Sequence, residues 1–179
     1  MLLRRSNAAD VAPVRALTAA AFASAPHRAP PVDETGQPGE AALVEWLLTD
    51  PDAVPELSWV AEDGRGGLVG HVVCSRAHVD DQPALGLGPI SVDPAHQGTG
   101  VGSALMHAVL GAADALGERL VVLVGDPGYY ARFGFRPARE IGVLAPDPAW
   151  GDFLQARTLT SYDGGPAGTV RLAAPFDRL

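Results

Sequence analysis

The 179-residue sequence contains no lysine, so all 13 of its basic side chains are arginine. A kinase-type phosphate-binding loop ends in Gly-Lys-Ser/Thr, and the missing lysine excludes a loop of that type. The 21 acidic residues leave a formal net charge of −8, which argues against a nucleic-acid partner. The negative charge does not exclude a small anionic ligand, because backbone amides at a helix start supply a local positive field.

Cysteine and long apolar runs are also scarce. The single cysteine, Cys74, lies in an apolar run and cannot form an internal disulfide, so we expect a small core residue and a cytoplasmic protein. The five histidines lack the spacing of metal ligands, and we therefore predict no metal site. No apolar run approaches the ~20 residues that cross a membrane, so we expect no membrane partner.

The length and composition favour one folded unit. A chain that is 47% apolar and 19% charged is typical of a globular protein with a substantial core. We therefore expect residues 1–179 to form a single domain. That domain is expected to be a monomer or a homodimer.

What the sequence does contain is a glycine-rich turn between a predicted strand, residues 85–92, and a predicted helix from Val101 onward. Gly98, Gly100 and Gly102 carry no Cβ, so the backbone N–H groups of residues 97–103 can approach one ligand. Unpaired amides and the helix dipole together favour phosphate at such a position. The alternative is a tight turn with no ligand. The helix places apolar residues at three- and four-residue spacing: Val101, Ala104, Leu105, Ala108, Val109, Ala112 and Leu116.

The glycine spacing distinguishes between ligand classes. A dinucleotide fingerprint needs Gly-x-Gly-x-x-Gly after the first strand, whereas this turn has alternating glycines in mid-chain. The turn instead resembles the acetyl-CoA loop of the GNAT superfamily of N-acetyltransferases. That family's signature, Gln/Arg-x-x-Gly-x-Gly/Ala, is matched by Gln97-Gly98-Thr99-Gly100-Val101-Gly102.

A second stretch strengthens the resemblance. The apolar run at residues 120–124 is typical of a strand buried on both faces, and Gly125-Asp126-Pro127-Gly128 ends it. Members of the GNAT superfamily carry Tyr-x-Lys/Arg-x-Gly-Phe at this distance, and the matching positions here are Tyr130, Arg132, Gly134 and Phe135. The wording of residues 125–135 is similar to a branch of small bacterial predicted acetyltransferases. The resemblance covers roughly residues 1–137.

The resemblance implies a fold and an activity. The fold is a mixed α/β (α+β) arrangement, with a mostly antiparallel twisted sheet splayed at its fourth strand and flanked by helices. The activity is acetyl transfer from acetyl-CoA, as co-substrate, to a primary amine on a small molecule, peptide or protein, by direct attack in a ternary complex. A non-catalytic acyl-CoA-binding or sensing domain on the same fold is the alternative.

The resemblance also assigns the cofactor-binding residues. Gly86, Gly88 and Pro89 are strand breakers that predict a bulge. In the resembling family the strand beyond such a bulge pairs with the pantetheine arm. The residues implied are Ile90, Ser91, Val92, Gln97, Gly98, Thr99, Gly100, Val101, Gly102, Ser103, Asp126, Tyr129, Arg132 and Phe133.

Direct attack requires no protein nucleophile, but the departing thiolate needs a proton. A tyrosine of pKa ~10 is matched in acidity to an aliphatic thiol. Tyr130 occupies the family position for this acid, and Tyr129 is its rival. The oxyanion is assigned to backbone N–H near Val92. The general base stays open among Glu62, Asp93, His71 and an ordered water.

The flanking segments are predicted from local signals. We expect a strand at residues 2–4, a helix at 11–23 capped by Asp10, an extended loop from 24 to 39, and a second helix at 39–48. The family resemblance makes this region the acceptor wall, so Asp33, Glu34, Glu40 and Glu45 are candidates for holding an amine. Strands are expected at 57–62 and 68–79. Two further strands, at 159–162 and 169–173, are predicted to form a closing hairpin.

Overall fold

The structure, a computed structural model, describes residues 1–26, 28–165 and 167–179; His27, inside the predicted 24–39 loop, and Pro166 lie outside these ranges. The described residues include nine strands and four α-helices, together with short 3₁₀ turns. The strands are β1 (Leu2–Arg5), β2 (Ala53–Glu62), β3 (Leu68–Val79), β4 (Gln82–Val92), β5 (Leu120–Val124), β6 (Arg136–Pro137), β7 (Val143–Leu144), β8 (Leu154–Thr158) and β9 (Gly168–Arg171). The helices are α1 (Val11–Phe22), α2 (Gly39–Thr49), α3 (Val101–Ala115) and α4 (Pro127–Tyr130).

The sheet is mixed and mostly antiparallel. Its strands lie in the order β1-β2-β3-β4-β5-β8-β6, and only the β4–β5 pair within that series is parallel. β9 pairs with the end of β3 on one side and with β7 on the other. The predicted fold class is confirmed, and the hairpin of β2 and β3 turns at residues 63–67 as expected.

The sheet splays between β4 and β5. These two strands pair only at Leu85 with Val121 and at Gly86 with Val122. Beyond that point the register of β4 against β3 shifts, so that Gly88 and Pro89 lie opposite the single residue Val73. This is the predicted bulge; Gly88 has φ +137° and its peptide bond to Pro89 is cis. Among the strands of the described residues, none pairs with this edge of β4 beyond Gly86.

One face of the sheet packs against α3. A Cβ on Gly70 would lie 2.7 Å from Val101 Cγ1 and 2.8 Å from Leu105 Cδ1, so this glycine lets α3 pack closely on β3. The predicted apolar face of α3 was partly wrong, since Leu116 is 49% exposed. Nearly every side of this helix is apolar, and its contact with β3 decides which side is buried. The buried residues are Val101, Leu105, Met106, Val109, Leu110 and Ala113.

The opposite face packs against α1 and α2. The cluster there joins apolar side chains of both helices to β2, to β3 and to Ala173, which follows β9. Its buried members are Val14, Leu43, Val44, Leu47, Val60, Val73 and Ala173. Buried polar side chains share this face, since Ser91 Oγ donates to Thr18 Oγ1 at 3.0 Å. Trp46 of α2 is half-buried, and the guanidinium carbon of Arg178 lies 5.1 Å from its ring centroid.

Two local predictions were wrong. Asp10 immediately precedes α1 but makes no side-chain cap to it, because its carboxylate accepts from Arg4 and from the Asn7 amide. The predicted C-terminal hairpin is absent from the described residues, because residues 159–162 form no strand and the strand in this region is β8, at Leu154–Thr158. β8 pairs with β5 and β6, while β9 fills the free edge at the end of β3, so long-range pairing replaced the local turn.

Among the helices in the described part of the chain, none combines the length and hydropathy that a membrane span requires. Within the same residues, no three His, Cys, Asp or Glu side chains gather as a metal-binding group. Cys74 is buried, and burial raises the pKa of its thiol.

Candidate functional site

The candidate site is the cleft where β4 and β5 diverge. α3 begins a few residues beyond the end of β4, and α4 begins directly beyond the end of β5. Two helix starts and two strand ends therefore surround one opening. In an open α/β arrangement, such a divergence of neighbouring strands is where ligands bind.

The edge of β4 inside this cleft offers free backbone groups. The Asp93 amide donates to the Val69 carbonyl at 3.0 Å, and Ser91 lies opposite His71 in the same antiparallel ladder. Because alternate residues of a strand direct their backbone groups to opposite sides, Ile90 and Val92 direct theirs away from β3. Ser91 directs its backbone to β3 and its hydroxyl to α1, so of the three predicted residues only two face the open edge.

The glycine turn presents amides rather than side chains. Gly98 and Gly100 have φ of +73° and +95°, and a Cβ on either would meet nothing within 4 Å. Ala104 is the first residue of α3 whose amide bonds within the turn, donating to the Gly100 carbonyl at 3.0 Å. The amides of Val101, Gly102 and Ser103 therefore stand at the helix start as the N–H groups that a helix leaves unpaired.

The side chains of the turn brace its own backbone. Gln97 Nε2 donates to the Val92 carbonyl at 3.2 Å, and Thr99 Oγ1 donates to the His96 carbonyl at 2.6 Å. Asp93 caps the preceding 3₁₀ turn by accepting from the Ala95 amide at 2.7 Å. These bonds hold the turn open toward solvent without placing a side chain over the amides.

α4 is a short helix with defined ends. The Asp126 carboxylate accepts from the Gly128 amide at 2.9 Å and caps it, and Gly134, at φ +80°, ends the following 3₁₀ turn. Asp126 was predicted as a cofactor ligand, but its negative charge is engaged at this cap. The signal was present in the sequence, since Asp before Pro127 is a typical helix start.

The hydroxyl of Tyr129 reaches across to α3. A Cβ on Gly102 would lie 2.7 Å from that hydroxyl oxygen and 3.5 Å from Val92 Cγ2. Arg132 contacts Tyr129 in two ways. Its Nε donates to the Tyr129 carbonyl at 2.9 Å, and its guanidinium carbon lies 4.8 Å from the centroid of the Tyr129 ring. Tyr129 thus spans the cleft between α4 and the start of α3.

Tyr130 packs on the end of β5. A Cβ on Gly125 would overlap the Tyr130 ring, which therefore lies directly on this glycine. The ring also meets Phe135 edge-on at 5.9 Å and Tyr129 edge-on at 4.9 Å between centroids. Gly125 is held in turn by bonds from its amide to the Phe153 carbonyl and to its carbonyl from Gln155 Nε2. Gly125 was missed at the sequence level, because its role depends on a contact across the chain.

Both tyrosines keep their protons at neutral pH. Burial raises the pKa of Tyr130, and the neighbouring Tyr129 and Asp126 raise it further. Burial also raises the pKa of Tyr129, although the positive charge of Arg132 opposes that shift. The site therefore contains two phenols that are protonated at neutral pH.

Phe133 belongs to the core rather than to the cleft lining. It is 3% exposed, and its ring lies 5.5 Å from those of Tyr129 and of His107 on α3. Phe133 was predicted as a cofactor-binding residue, whereas its side chain is buried in this structure. Its packing instead fixes the distance between α3 and α4.

Comparison with known proteins agrees with this geometry. The family model described as Acetyltransferase (GNAT) domain matches residues 55–137, the segment from β2 to β6. The uncharacterized N-acetyltransferase YjhQ of Escherichia coli K12 is 35% identical over 144 residues, which cover 76% of this chain and 79% of YjhQ. The chain belongs to the GNAT superfamily.

Two solved structures of this superfamily resemble the whole chain. YhbS from Escherichia coli, solved in complex with CoA, superposes with a TM-score of 0.83 at 28% identity, covering 99% of this chain and 92% of YhbS. A GNAT family acetyltransferase from Brucella melitensis, solved with acetyl-CoA, gives a TM-score of 0.75 at 30% identity, covering 98% and 97%. The resemblance therefore extends through the C-terminal region that lies beyond the family model.

Each of the three candidate base residues of this GNAT protein is either bonded to another group or buried. The Glu62 carboxylate accepts from Arg4 Nε at 2.6 Å, and Asp93 caps a 3₁₀ turn. His71 is fully buried between the sheet and α1, and burial lowers its pKa to about 3. A histidine in that position stays neutral and gives no side-chain route for a proton leaving the cleft.

The acidic side chains of the predicted acceptor wall are mostly paired. Arg15 donates to Asp33 at 2.6 Å and also to Glu45. Glu40 is buried and accepts from the Ala29 amide at 2.6 Å, which ties α2 to the preceding segment. Glu34 is exposed. Three of the four candidates therefore make hydrogen bonds or ion pairs that tie α1, α2 and the intervening segment together.

A separate groove of about 540 Å³ lies outside the cleft. It runs between α1 and the β2–β3 turn, with Arg4, Asp10, Ala16, Gly66 and Asp93 among its lining residues. None of the residues of the glycine turn or of α4 lines it. This groove serves below as the rival location for a ligand.

Proposed function

We propose that this GNAT protein transfers an acetyl group from acetyl-CoA to a primary amine by direct attack in a ternary complex. The proposal is supported by the splayed cleft, its amide-lined turn and its protonated tyrosines, and by relatives whose structures hold CoA or acetyl-CoA. The observation that carries it is the meeting of the open β4 edge, the start of α3 and the α4 tyrosines at one cleft.

The residues present fit the co-substrate. A pyrophosphate needs several backbone donors and no bulky side chain, and the amides of residues 97–103 with the open glycines at 98 and 100 meet both needs. The outward backbone groups of Ile90 and the outward N–H of Val92 match the amides of a pantetheine arm as an added strand would. The Val92 carbonyl is already used, since it accepts from Gln97 Nε2. Arg132, exposed beside Tyr129, adds positive charge at the same mouth.

The reaction then needs only proton and charge management. The amine nitrogen bonds to the thioester carbonyl carbon while negative charge develops on the carbonyl oxygen, which the outward Val92 N–H stabilises. The carbon–sulfur bond breaks, and the departing thiolate takes the hydroxyl proton of Tyr130. Because Glu62, Asp93 and His71 are engaged, we assign the proton leaving the amine to water.

Tyr130 is the proposed acid because its phenol is protonated and its ring is fixed against Gly125. Positioned acids of this kind contribute about 10²–10⁴-fold in rate. Tyr129 is assigned to the cofactor wall. The acceptor is assigned to the side of α1 and α2, where Asp33 and Glu45 supply negative charge for an amine.

The experiment that tests the proposal combines binding with turnover. Calorimetric titration with CoA and with ATP separates a CoA site from a general nucleotide site. A free-thiol assay with acetyl-CoA and a panel of small amines, amino acids and peptide N-termini then tests transfer. Thiol release that depends on an amine supports the proposal, whereas CoA binding with no release across the panel favours the acyl-CoA-sensing alternative.

We also propose that residues 1–179 act as one unit in the cytoplasm. The chain closes on itself, because β9 near its C-terminus pairs with β3 near its middle. The one cysteine is buried and reduced. Size-exclusion chromatography with light scattering tests whether the unit is a monomer or a homodimer.

A further inference from the structure

We propose that Gly102 and Tyr129 form a positioning contact that sets the location of the Tyr130 phenol. The inference rests on the proposed function, since it concerns the acid of that reaction. In it Gly102 serves α4 as well as the cofactor, and Tyr129 acts through its neighbour rather than on the substrate.

Gly102 differs from the other two glycines of the turn. Gly98 and Gly100 have positive φ, which only glycine adopts readily, whereas Gly102 lies inside α3 with ordinary helical backbone. Its backbone conformation therefore does not require glycine. At Gly98 and Gly100 a Cβ would meet nothing within 4 Å, whereas at Gly102 it would meet the Tyr129 hydroxyl at 2.7 Å. Shape, not conformation, is what selects glycine at position 102.

The clash is confined to one oxygen atom. Among the described residues, the next atoms to a Cβ on Gly102 are Val92 Cγ2 at 3.5 Å and Tyr129 Cζ at 4.0 Å, both ordinary contact distances. The superfamily signature accepts Gly or Ala at this position. In this chain the hydroxyl of Tyr129 removes the second option, and phenylalanine at position 129 restores the space.

A push on Tyr129 is transmitted because its half-buried ring has side-chain neighbours on several sides. The guanidinium carbon of Arg132 lies 4.8 Å from the centroid of the Tyr129 ring. The ring of Phe133, which is buried, lies 5.5 Å away between centroids. The ring of Tyr130 also contacts Tyr129, edge-on, with 4.9 Å between the two ring centroids. Tyr130 is held on its other side by Gly125 and Phe135, so a displaced Tyr129 moves or tilts the phenol of the acid.

The consequence concerns kcat more than cofactor affinity. A misplacement of about 1 Å at a reacting group costs about 10²-fold in rate. We expect Gly102→Ala to lower kcat at saturating acetyl-CoA by about 10- to 100-fold. A shift of the phenol leaves the turn amides in place, so the Kd for CoA is expected to change by less than about threefold.

The test is a double-mutant cycle of Gly102→Ala and Tyr129→Phe, with kcat, CoA Kd and Tm measured for all four proteins. The effect of Gly102→Ala on kcat is expected to shrink to less than about threefold in the Tyr129→Phe background. Its effect on Tm is expected to change sign. With the hydroxyl present the added methyl lowers Tm, and without it the methyl raises Tm by restricting the unfolded chain.

Gly111→Ala is the matched control, since Gly111 lies in the same helix and a Cβ there meets nothing within 4 Å. It is expected to raise Tm and to leave kcat within about twofold in both backgrounds. Equal effects of Gly102→Ala on Tm with and without the hydroxyl would overturn the contact. A Tm sign change without a matching recovery of kcat would overturn the positioning role. If no amine is acetylated by the parent protein, the proposed function fails, and the Tm cycle still decides the contact.

Discussion

The two faces of the sheet are built on different principles. On the face that carries α3 and α4, buried apolar side chains surround close contacts between glycines and tyrosines. Packing on this face depends on steric fit. On the α1 and α2 face, buried hydroxyls and a histidine join the apolar cluster, and fit depends on hydrogen bonds. The difference indicates that substitutions on the first face act through steric fit, and that those on the second face act through hydrogen bonds and charge.

The α1 and α2 face, called the polar face below, contains a short series of hydrogen-bonded side chains. Ser6 Oγ donates to Ser58 Oγ at 2.6 Å, and Ser58 Oγ lies 3.2 Å from His71 Nε2. Within the described residues, Nδ1 of His71 has no hydrogen-bond partner. A neutral imidazole tolerates this position, whereas a protonated one leaves a buried charge uncompensated.

The largest expected effect on kcat comes from a substitution on the α3 and α4 face. Tyr130→Phe removes only the hydroxyl, so packing on Gly125 survives while the proposed acid is lost. We expect kcat at saturating acetyl-CoA to fall by about 10²–10⁴-fold with CoA affinity preserved. The measurement is initial-rate kinetics by thiol release, paired with calorimetry.

Tyr129→Phe is the matched variant and is expected to cost less than about tenfold in kcat. If this variant is the crippled one and Tyr130→Phe is near normal, the assignment of the acid is off by one residue. If neither substitution slows turnover, the thiolate takes its proton from water.

Gly100→Val is expected to weaken CoA binding by about 10- to 100-fold, because each charge-assisted hydrogen bond from a turn amide contributes about 1.5–3 kcal/mol. Gly164→Val is the control, since Gly164 has φ +89°, close to the +95° of Gly100, and equally open surroundings. Both variants place a β-branched residue at a positive φ, so both are expected to lower Tm. Equal CoA affinity in the two variants would remove the phosphate site from this turn.

The polar face predicts a pH dependence of stability. His71 has a folded-state pKa lowered to about 3, whereas an exposed imidazole titrates near ~6.5. The unfolded state therefore binds the extra proton as pH falls below ~6.5, and stability is lost by about 1.4 kcal/mol per pH unit. We expect the free energy of unfolding to fall by about 2 kcal/mol between pH 7 and pH 5.

Urea unfolding across this pH range measures the effect, and His71→Gln is the comparison. Carboxylates with lowered pKa values, such as Asp10 and Asp114, lose their contribution only at lower pH. The variant is therefore expected to show a flatter profile between pH 7 and pH 5. A profile as steep as that of the parent protein would assign the dependence to another group.

The smallest expected effect is on the acceptor wall. Arg15→Ala releases Asp33 and Glu45, and exposed ion pairs contribute little to stability, so Tm is expected to fall by only a few degrees. CoA affinity is expected to stay within about twofold, because the ion pairs lie away from the turn. The KM for the amine is expected to rise a few-fold. A change in CoA affinity with no change in the KM for the amine would contradict the assignment of this ion-paired region to the amine rather than to CoA.

Local signals predicted the parts of the fold that depend on backbone chemistry. The bulge follows from Gly88 and Pro89, which interrupt a strand wherever they occur, and the turn before α3 follows from its glycines. The start of α3 at Val101 and the bounds of β3 were correct for the same reason. Conformational preference is a property of a few adjacent residues, and the sequence displays it.

Contacts between distant segments were not predictable in this way. The C-terminal strands pair with β3, β5, β6 and β7, and nothing within residues 154–171 indicates those partners. The burial of Phe133 and the seat of Tyr130 on Gly125 likewise arise from packing between elements. The site was therefore predicted as a set of residues, while the division of work among them required the structure.

The most direct test of the cofactor cleft is an amide-resolved NMR titration of the ¹⁵N-labelled protein with CoA. The amides of Gly98, Gly100, Gly102 and Ser103 are expected to shift first and furthest, together with those of Ile90 and Val92 on the open edge of β4. Shifts confined to the groove between α1 and the β2–β3 turn, around Asp10 and Gly66, with the glycine turn unmoved, would contradict the assignment of this cleft.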